Sequence, residues 1–402
     1  MKRRDFIGAS AILAFLAGSQ VHAAPKKQSQ NVPKKSTNKP AKKPSVKPRK
    51  ENTKPVKVPP PAESPRDAIS LPDEPPAQWQ TYDIQSIVIL NNPQGKARLW
   101  LPLAQYRDTP WERSLGHHWR GNFENAGVYR DPVADMEVFY ADWSQDAGNP
   151  HLEITSRIAV QNRHFDITRR KTITERTEVL RRCLQSTELV PTDGIVMQTA
   201  ERAIGRIKDP LAQSKAIYDW VVENTVFEPQ MKNSGSTHIG QFLESGHLAG
   251  QSVEISLLFV AMCRSIGIPA RPVFGVRLDH SRLFACLSAS GNIEADRHCR
   301  AEFYSPGYGW VPVDPSDVRR AIHGECLKAN DPKLTVLRKL LFGFWEMNWM
   351  GFNTAQDVIL NGSSRPALPF LIAPTLETNE GRFDSVSSEQ FAYSMNIQKV
   401  EG

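Results

Sequence analysis

Cysteine is scarce in this chain: five residues in 402, Cys183, Cys263, Cys286, Cys299 and Cys326. An odd number leaves at least one unpaired, and no spacing among them is that of a metal-binding cluster. Neither a disulfide scaffold nor a zinc module is therefore indicated. Long apolar runs are also missing near the start. The stretch over residues 7–17 falls well short of the roughly 20 residues that cross a bilayer core, so no transmembrane segment is expected in the mature protein. A basic surplus is absent from most of the chain as well. The formal charge is +7, yet thirteen Lys and Arg stand against only Glu51 and Glu63 within residues 25–66. The rest of the chain, from residue 67 on, is mildly acidic, which argues against a nucleic-acid partner, since that needs a basic face on a folded module.

The cationic segment, bounded as residues 24–75, has almost no large apolar side chains and alternates lysine with proline. It cannot bury enough surface to offset the entropy of ordering it, and its prolines favour an extended spacer. Two readings stay open for it: contact with anionic cell-envelope polymers or lipid head groups, or a solvated spacer with no partner. Ahead of it, Lys2-Arg3-Arg4-Asp5-Phe6-Ile7, a short apolar stretch and Val21-His22-Ala23 have the layout of a twin-arginine signal peptide over residues 1–23. A periplasmic or otherwise exported location is the expectation.

Beyond the linker, residues 76–176 read as a β-rich N-terminal module. Gln85-Ser86-Ile87-Val88-Ile89-Leu90, Ala97-Arg98-Leu99-Trp100-Leu101 and residues 152–160 show β-branched enrichment or period-two alternation between turn residues. Residues 177–330 change period. Asp209-Pro210 is a cap with proline at the first helical position. From Ser252, the residues Ile255, Leu258, Phe259, Met262 and Ile266 predict an amphipathic helix stopped by Gly267 and Pro269. Strands then resume over 271–276, 298–304 and 309–314. Helix followed by antiparallel strands is an α+β order. Residues 331–402 read as a C-terminal extension, partly β.

Three elements carry the chemistry. Gly250-Gln251-Ser252 opens the helix that closes with Gly267-Ile268-Pro269-Ala270-Arg271; His298-Cys299-Arg300-Ala301-Glu302 opens a strand; Trp310-Val311-Pro312-Val313-Asp314-Pro315 ends the next. In order and spacing, over residues 209–315, they resemble the transglutaminase-like superfamily, which is similar in arrangement to the papain-type cysteine peptidases. The resemblance implies a helix-borne nucleophile, a histidine and an aspartate at Ser252, His298 and Asp314, acyl chemistry on peptide or protein amides, and neither cofactor nor metal. This sequence departs from the family at one place: Ser252 stands where the family has cysteine.

That departure changes the chemistry. A thiol at a helix N-terminus beside a histidine becomes thiolate, because its unperturbed pKa is only about 8.5. A serine hydroxyl stays protonated under the same influences and needs a geometry tuned to remove its proton during attack. Serine is also a favoured N-cap, its oxygen accepting from the amide of Glu254 or Ile255. Two alternatives result. The first is a non-catalytic domain that binds a peptide or envelope polymer or plays a structural part. The second is a peptidase, amidase or acyltransferase using a Ser252-His298-Asp314 triad. No other motif cysteine substitutes: Cys299 leaves the opposite strand face from His298, and Cys263 lies about 16 Å along the helix at 1.5 Å per residue. The same alternation places His298, Arg300, Glu302 and Tyr304 on one face, the expected cleft wall.

Overall fold

Six strands open the part of the chain that the computed structural model describes, residues 78–401 apart from 106, 133, 167, 169, 171–173, 232–236 and 386–388. The expected signal peptide and linker lie outside the described residues. The strands are β1 (Gln80–Leu90), β2 (Ala97–Pro102), β3 (Glu112–Gly121), β4 (Asn125–Asp131), β5 (Met136–Trp143) and β6 (His151–Val160). Alternation along β1 sets its buried face, with Tyr82, Ile84, Ser86, Val88 and Leu90 all inward.

Three helices follow, α1 (Gly194–Ile204), α2 (Pro210–Asn224) and α3 (Ser252–Ser265), and then strands β7 (Ala270–Arg277), β8 (Arg297–Ser305) and β9 (Gly309–Val313). Helices α4 (Pro315–Gly324) and α5 (Pro332–Leu340) precede the last strands, β10 (Trp349–Asn353), β11 (Thr375–Glu377), β12 (Arg382–Asp384) and β13 (Phe391–Val400). Shorter elements are named by their residues.

Two antiparallel sheets, ordered β13-β1-β6-β3 and β12-β11-β2-β5-β4, share one apolar cluster built on Val88, Leu99, Phe139, Trp143 and Leu152. Side chains from two facing sheets meeting in one core make a β-sandwich. A third antiparallel sheet, β9-β8-β7-β10, carries α3 on one face, and their common core takes in Ile255, Phe259, Phe274, Phe303 and Val311. A further cluster, with Tyr82, Ile84 and Ile158 on the sandwich side and Val276, Met350 and Phe352 on the other, joins the two parts. The architecture is α+β, as the order of elements along the chain suggests.

The C-terminal residues 331–402 are not an appendage. β10 completes the third sheet, β11 and β12 extend the second, and β13 pairs with β1 over ten residues, from Thr81 opposite Val400 to Leu90 opposite Phe391.

Two local readings of the sequence hold and one is corrected. Asp209 Oδ2 accepts from the Ala212 amide at 2.8 Å, with Pro210 opening α2. Gly267 adopts φ +84°, the left-handed conformation that ends α3. But α3 is not amphipathic: every residue from Ser252 to Arg264 is buried. Val253, Leu257, Val260 and Ala261 fill the faces outside the expected stripe, and they do so because α1 and α2 cover what the sheet does not. A helix apolar on all sides is a central helix.

Candidate functional site

The first turn of α3 is assembled tightly. Gly250 precedes it because a Cβ there would sit 2.8 Å from Glu254 Cβ. The N-cap is Gln251, not Ser252, and it forms a capping box with Glu254, whose Oε2 accepts from the Gln251 amide at 3.0 Å. The Gln251 side-chain Nε2 also donates to Pro229 O at 3.3 Å and to Met231 O.

Ser252 is therefore a first-turn residue, and the expected bond from Glu254 or Ile255 is replaced by one across to the sheet. Its Oγ accepts from the Cys299 amide at 3.1 Å, and one turn later Ser256 Oγ donates to Cys299 O at 2.7 Å. The reason lies in the ladder. Pairing between β8 and β9 starts at Ala301 opposite Val313, so Cys299 faces the point where β9 has given way to Pro315 and α4. Two serines at i and i+4 on α3 satisfy the backbone groups that β9 no longer reaches. Removing the first strands a buried amide, so Ser252→Ala should lower unfolding free energy by about 1–3 kcal/mol. Denaturant titration checks this; a nucleophile without a structural duty would leave stability unchanged.

His298 and Asp314 meet as expected, with Nε2 2.8 Å from Asp314 Oδ2. Asp314 does two jobs: its Oδ1 accepts from the Asp317 amide at 2.9 Å and from Ser316 Oγ at 2.9 Å, which caps α4. Around this pair lies a charged layer of which sequence reasoning had named only Arg300, on the face of His298. Asp317 Oδ1 is 3.5 Å from His298 Nε2 and is ion-paired with Arg277. Arg300 Nε lies 3.2 Å from Asp314 Oδ2, with its guanidinium 4.6 Å over the Trp349 ring. Asp317 offered a further signal, three residues after Asp314 at the start of a helix. Nothing in the sequence pointed to Arg277.

All of these groups are buried; His298 is 1% exposed and Ser252 5%. Burial, then the positive charge of Arg277, push the His298 pKa below its ordinary value, more than Asp317 and Asp314 raise it. For Asp317 burial works the other way, but Arg277, His298 and Arg300 outweigh it and hold the carboxyl well below the usual range. The expected cleft wall is thus an interior layer. Glu302, on the same strand, is buried between Arg163 and Arg271, each at 2.6 Å.

His298, Asp314 and Asp317 each bring one ligand atom within 4.8 Å of the others. The two carboxylates are already balanced by Arg277 and Arg300, so a divalent cation would meet two guanidinium charges at contact range. The donor set suits a salt-bridge network better than a metal.

Four of the cysteines lack the character of a reactive thiol. Burial raises the pKa of Cys183, Cys263 and Cys299. Cys286 is pushed up to about 12, first by burial and then by Glu325. A thiol used as a nucleophile needs the opposite shift.

A pocket of about 590 Å³ opens beside the pair. Gln251 and Arg297 form part of its wall. They are the residues immediately before Ser252 and His298, which themselves do not line it.

With this geometry in place, similarity to known proteins decides the family. Residues 197–315 match the sequence model of the transglutaminase-like superfamily core, the span that contains Ser252, His298 and Asp314. The chain belongs to the transglutaminase-like superfamily. An uncharacterized protein of Haemophilus influenzae is 32% identical over 295 residues, which is 69% of this chain and 78% of that protein. Among solved structures, a candidate cysteine protease from Cytophaga hutchinsonii superposes with a TM-score of 0.51 at 13% identity, over 81% of this chain and 92% of that one. That likeness concerns the fold. The periplasmic domain of TgpA from Pseudomonas aeruginosa also matches, at 14% identity and TM-score 0.30, over 61% of this chain and 93% of that one. The matched span holds, in chain order, the start of α3 with Ser252, the strand of His298 and the strand that leads to Asp314.

Proposed function

We propose that this protein is an exported, non-catalytic transglutaminase-like protein that binds peptide or envelope-polymer segments in the pocket beside Ser252. One observation carries the reading: the Ser252 hydroxyl oxygen is committed to the Cys299 amide, 3.1 Å away. The neighbouring groups support it. His298 is buried with a lowered pKa, which disfavours the imidazolium that acyl transfer forms. The Gln251 amide beside the pocket is engaged with loop carbonyls rather than turned toward a developing oxyanion. Export rests on the paired arginines of the N-terminal segment. Among the described residues no helix is long and apolar enough to cross a membrane.

The 2.8 Å contact between His298 and Asp314 favours a second reading, a hydrolase or acyltransferase using Ser252. The two readings separate cleanly. Wild-type protein should show background rates of amine incorporation into glutamine substrates and of peptide-amide hydrolysis, and a fluorophosphonate probe should not label Ser252. Ser252→Cys should remain near background, since a thiol restores neither the His298 charge nor access. A covalent adduct on Ser252, or activity lost in Ser252→Ala, sinks the non-catalytic reading. The binding half is tested by calorimetry with a panel of short acetylated peptides; it fails if none binds at millimolar concentration.

A further inference from the structure

Two arginines line the pocket with no ion-pair partner among the described residues. Arg297 is 5% exposed, and its Nη2 donates to Ser385 Oγ at 2.6 Å. Arg320 donates from Nε to Cys286 O at 2.8 Å and lies 5.5 Å over the Phe227 ring. Among the described residues neither guanidinium has a carboxylate oxygen within the 4.0 Å of an ion pair. Most other arginines buried in the described residues are ion-paired: Arg163 and Arg271 with Glu302, Arg277 with Asp317, Arg300 with Asp314. Arg264 is instead enclosed by three neutral oxygens, of Ala270, Gln185 and Gln356, and does not line this pocket. A desolvated cation without a counter-charge is costly. A pair of them facing one cavity is the arrangement a ligand's anion completes.

We infer that this pocket is selective for peptides that bear a carboxylate, with Arg297 and Arg320 holding that group. The inference rests on the pocket-binding reading above and adds the class of ligand. Guanidinium forks match planar carboxylates in bidentate fashion. Glu294 also lines the pocket, so the two guanidinium groups leave a surplus close to one positive charge. That suits a monoanionic carboxylate better than a dianionic phosphate. Phe227, Pro229 and Met231 give the same cavity an apolar side, which a free inorganic ion would leave unused and a peptide would cover. Gln251, tied to the loop at Pro229 and Met231, holds the edge of that apolar side in place.

The test uses the full chain and two matched pairs of probes, read by calorimetry and thermal shift. Glutarate against glutaramide isolates the anion. An acetylated Ala-Ala-Glu-Ala amide against its Gln counterpart places the same contrast in a peptide. The Glu peptide should bind at least tenfold more tightly than the Gln peptide, and glutarate should bind where glutaramide does not. Arg320→Gln, at a half-buried position, should remove most of that preference. Because it leaves the thirteen basic residues of the linker intact, a change in this variant reports the pocket and not the tail. Arg297→Lys should weaken glutarate binding by a similar factor while retaining charge, which separates bidentate recognition from loss of folding. Equal binding of the Glu and Gln peptides overturns the carboxylate inference and leaves pocket binding standing. Glutarate bound through Arg320 with no peptide bound overturns peptide binding and leaves the anion site standing. Phosphate bound more tightly than glutarate, or glutarate binding unchanged in Arg320→Gln, overturns the inference outright.

Discussion

Replacing Arg277 with methionine should lower unfolding free energy by about 3–5 kcal/mol, the usual cost of leaving a buried charge without its partner. Arg277 is fully buried, donates to Leu287 O at 2.9 Å and is ion-paired with Asp317. Remove it and Asp317 keeps a negative charge in the interior with only His298 and Arg300 to answer it. The matching double variant, Arg277→Met with Asp317→Leu, should recover most of the loss, because replacing both members of a buried pair by apolar side chains is often close to neutral. Denaturant titration of both proteins decides it. Equal stability of the single and double variants would show that the pair is not energetically coupled. A second readout concerns the site: with Arg277 gone, the remaining carboxylates should raise the His298 pKa, visible in its imidazole NMR titration.

The second large effect is a dependence on pH set by Glu112. This carboxyl is buried on β3 and accepts from the Gly351 amide, at 3.0 Å to Oε2 and 3.2 Å to Oε1. Burial raises its pKa to about 8, with Asp135 adding and the Gly351 bond and Arg300 opposing. The folded protein therefore holds a proton that the unfolded chain has released above its ordinary value of 4.5. Stability from this group is full below that ordinary value and falls as pH rises toward 8. The slope approaches about 1.4 kcal/mol per pH unit within that window. Glu112→Gln keeps the acceptor and cannot ionise. The variant should match the wild type near pH 4 and exceed it increasingly up to pH 8, in melting or denaturant midpoints. Parallel pH profiles for the two proteins would refute the assignment.

Much of the site was legible in sequence because its parts are local. The Asp209-Pro210 cap, the Gly267 stop and the strand that carries His298 each depend on a few neighbouring residues and on backbone preferences those residues impose. The pairing of His298 with Asp314 was legible too, since two adjacent antiparallel strands bring the start of one beside the end of the next. The sandwich was legible as a set of alternating strands. Its closure by β13 was not: a strand at the opposite end of the chain from its neighbour leaves no periodic trace of which edge it will take.

Ser252 marks the boundary most clearly. Sequence alone determined that a serine opens a helix ahead of a histidine strand and an aspartate, and resemblance to the transglutaminase-like family supplied the expectation that a nucleophile would stand there. It also determined that no other motif cysteine fills the role. Only the tertiary structure decided what the hydroxyl does, because a hydrogen bond is settled by whatever lies within about 3 Å. The partner, the amide of Cys299, is 47 residues away along the chain. For the same reason the convergence of Arg277 and Asp317 on the face of His298 and Arg300 was invisible until the strands and α4 came together. Burial, with Arg277 beside the ring, lowers the His298 pKa against the opposing pull of Asp317 and Asp314.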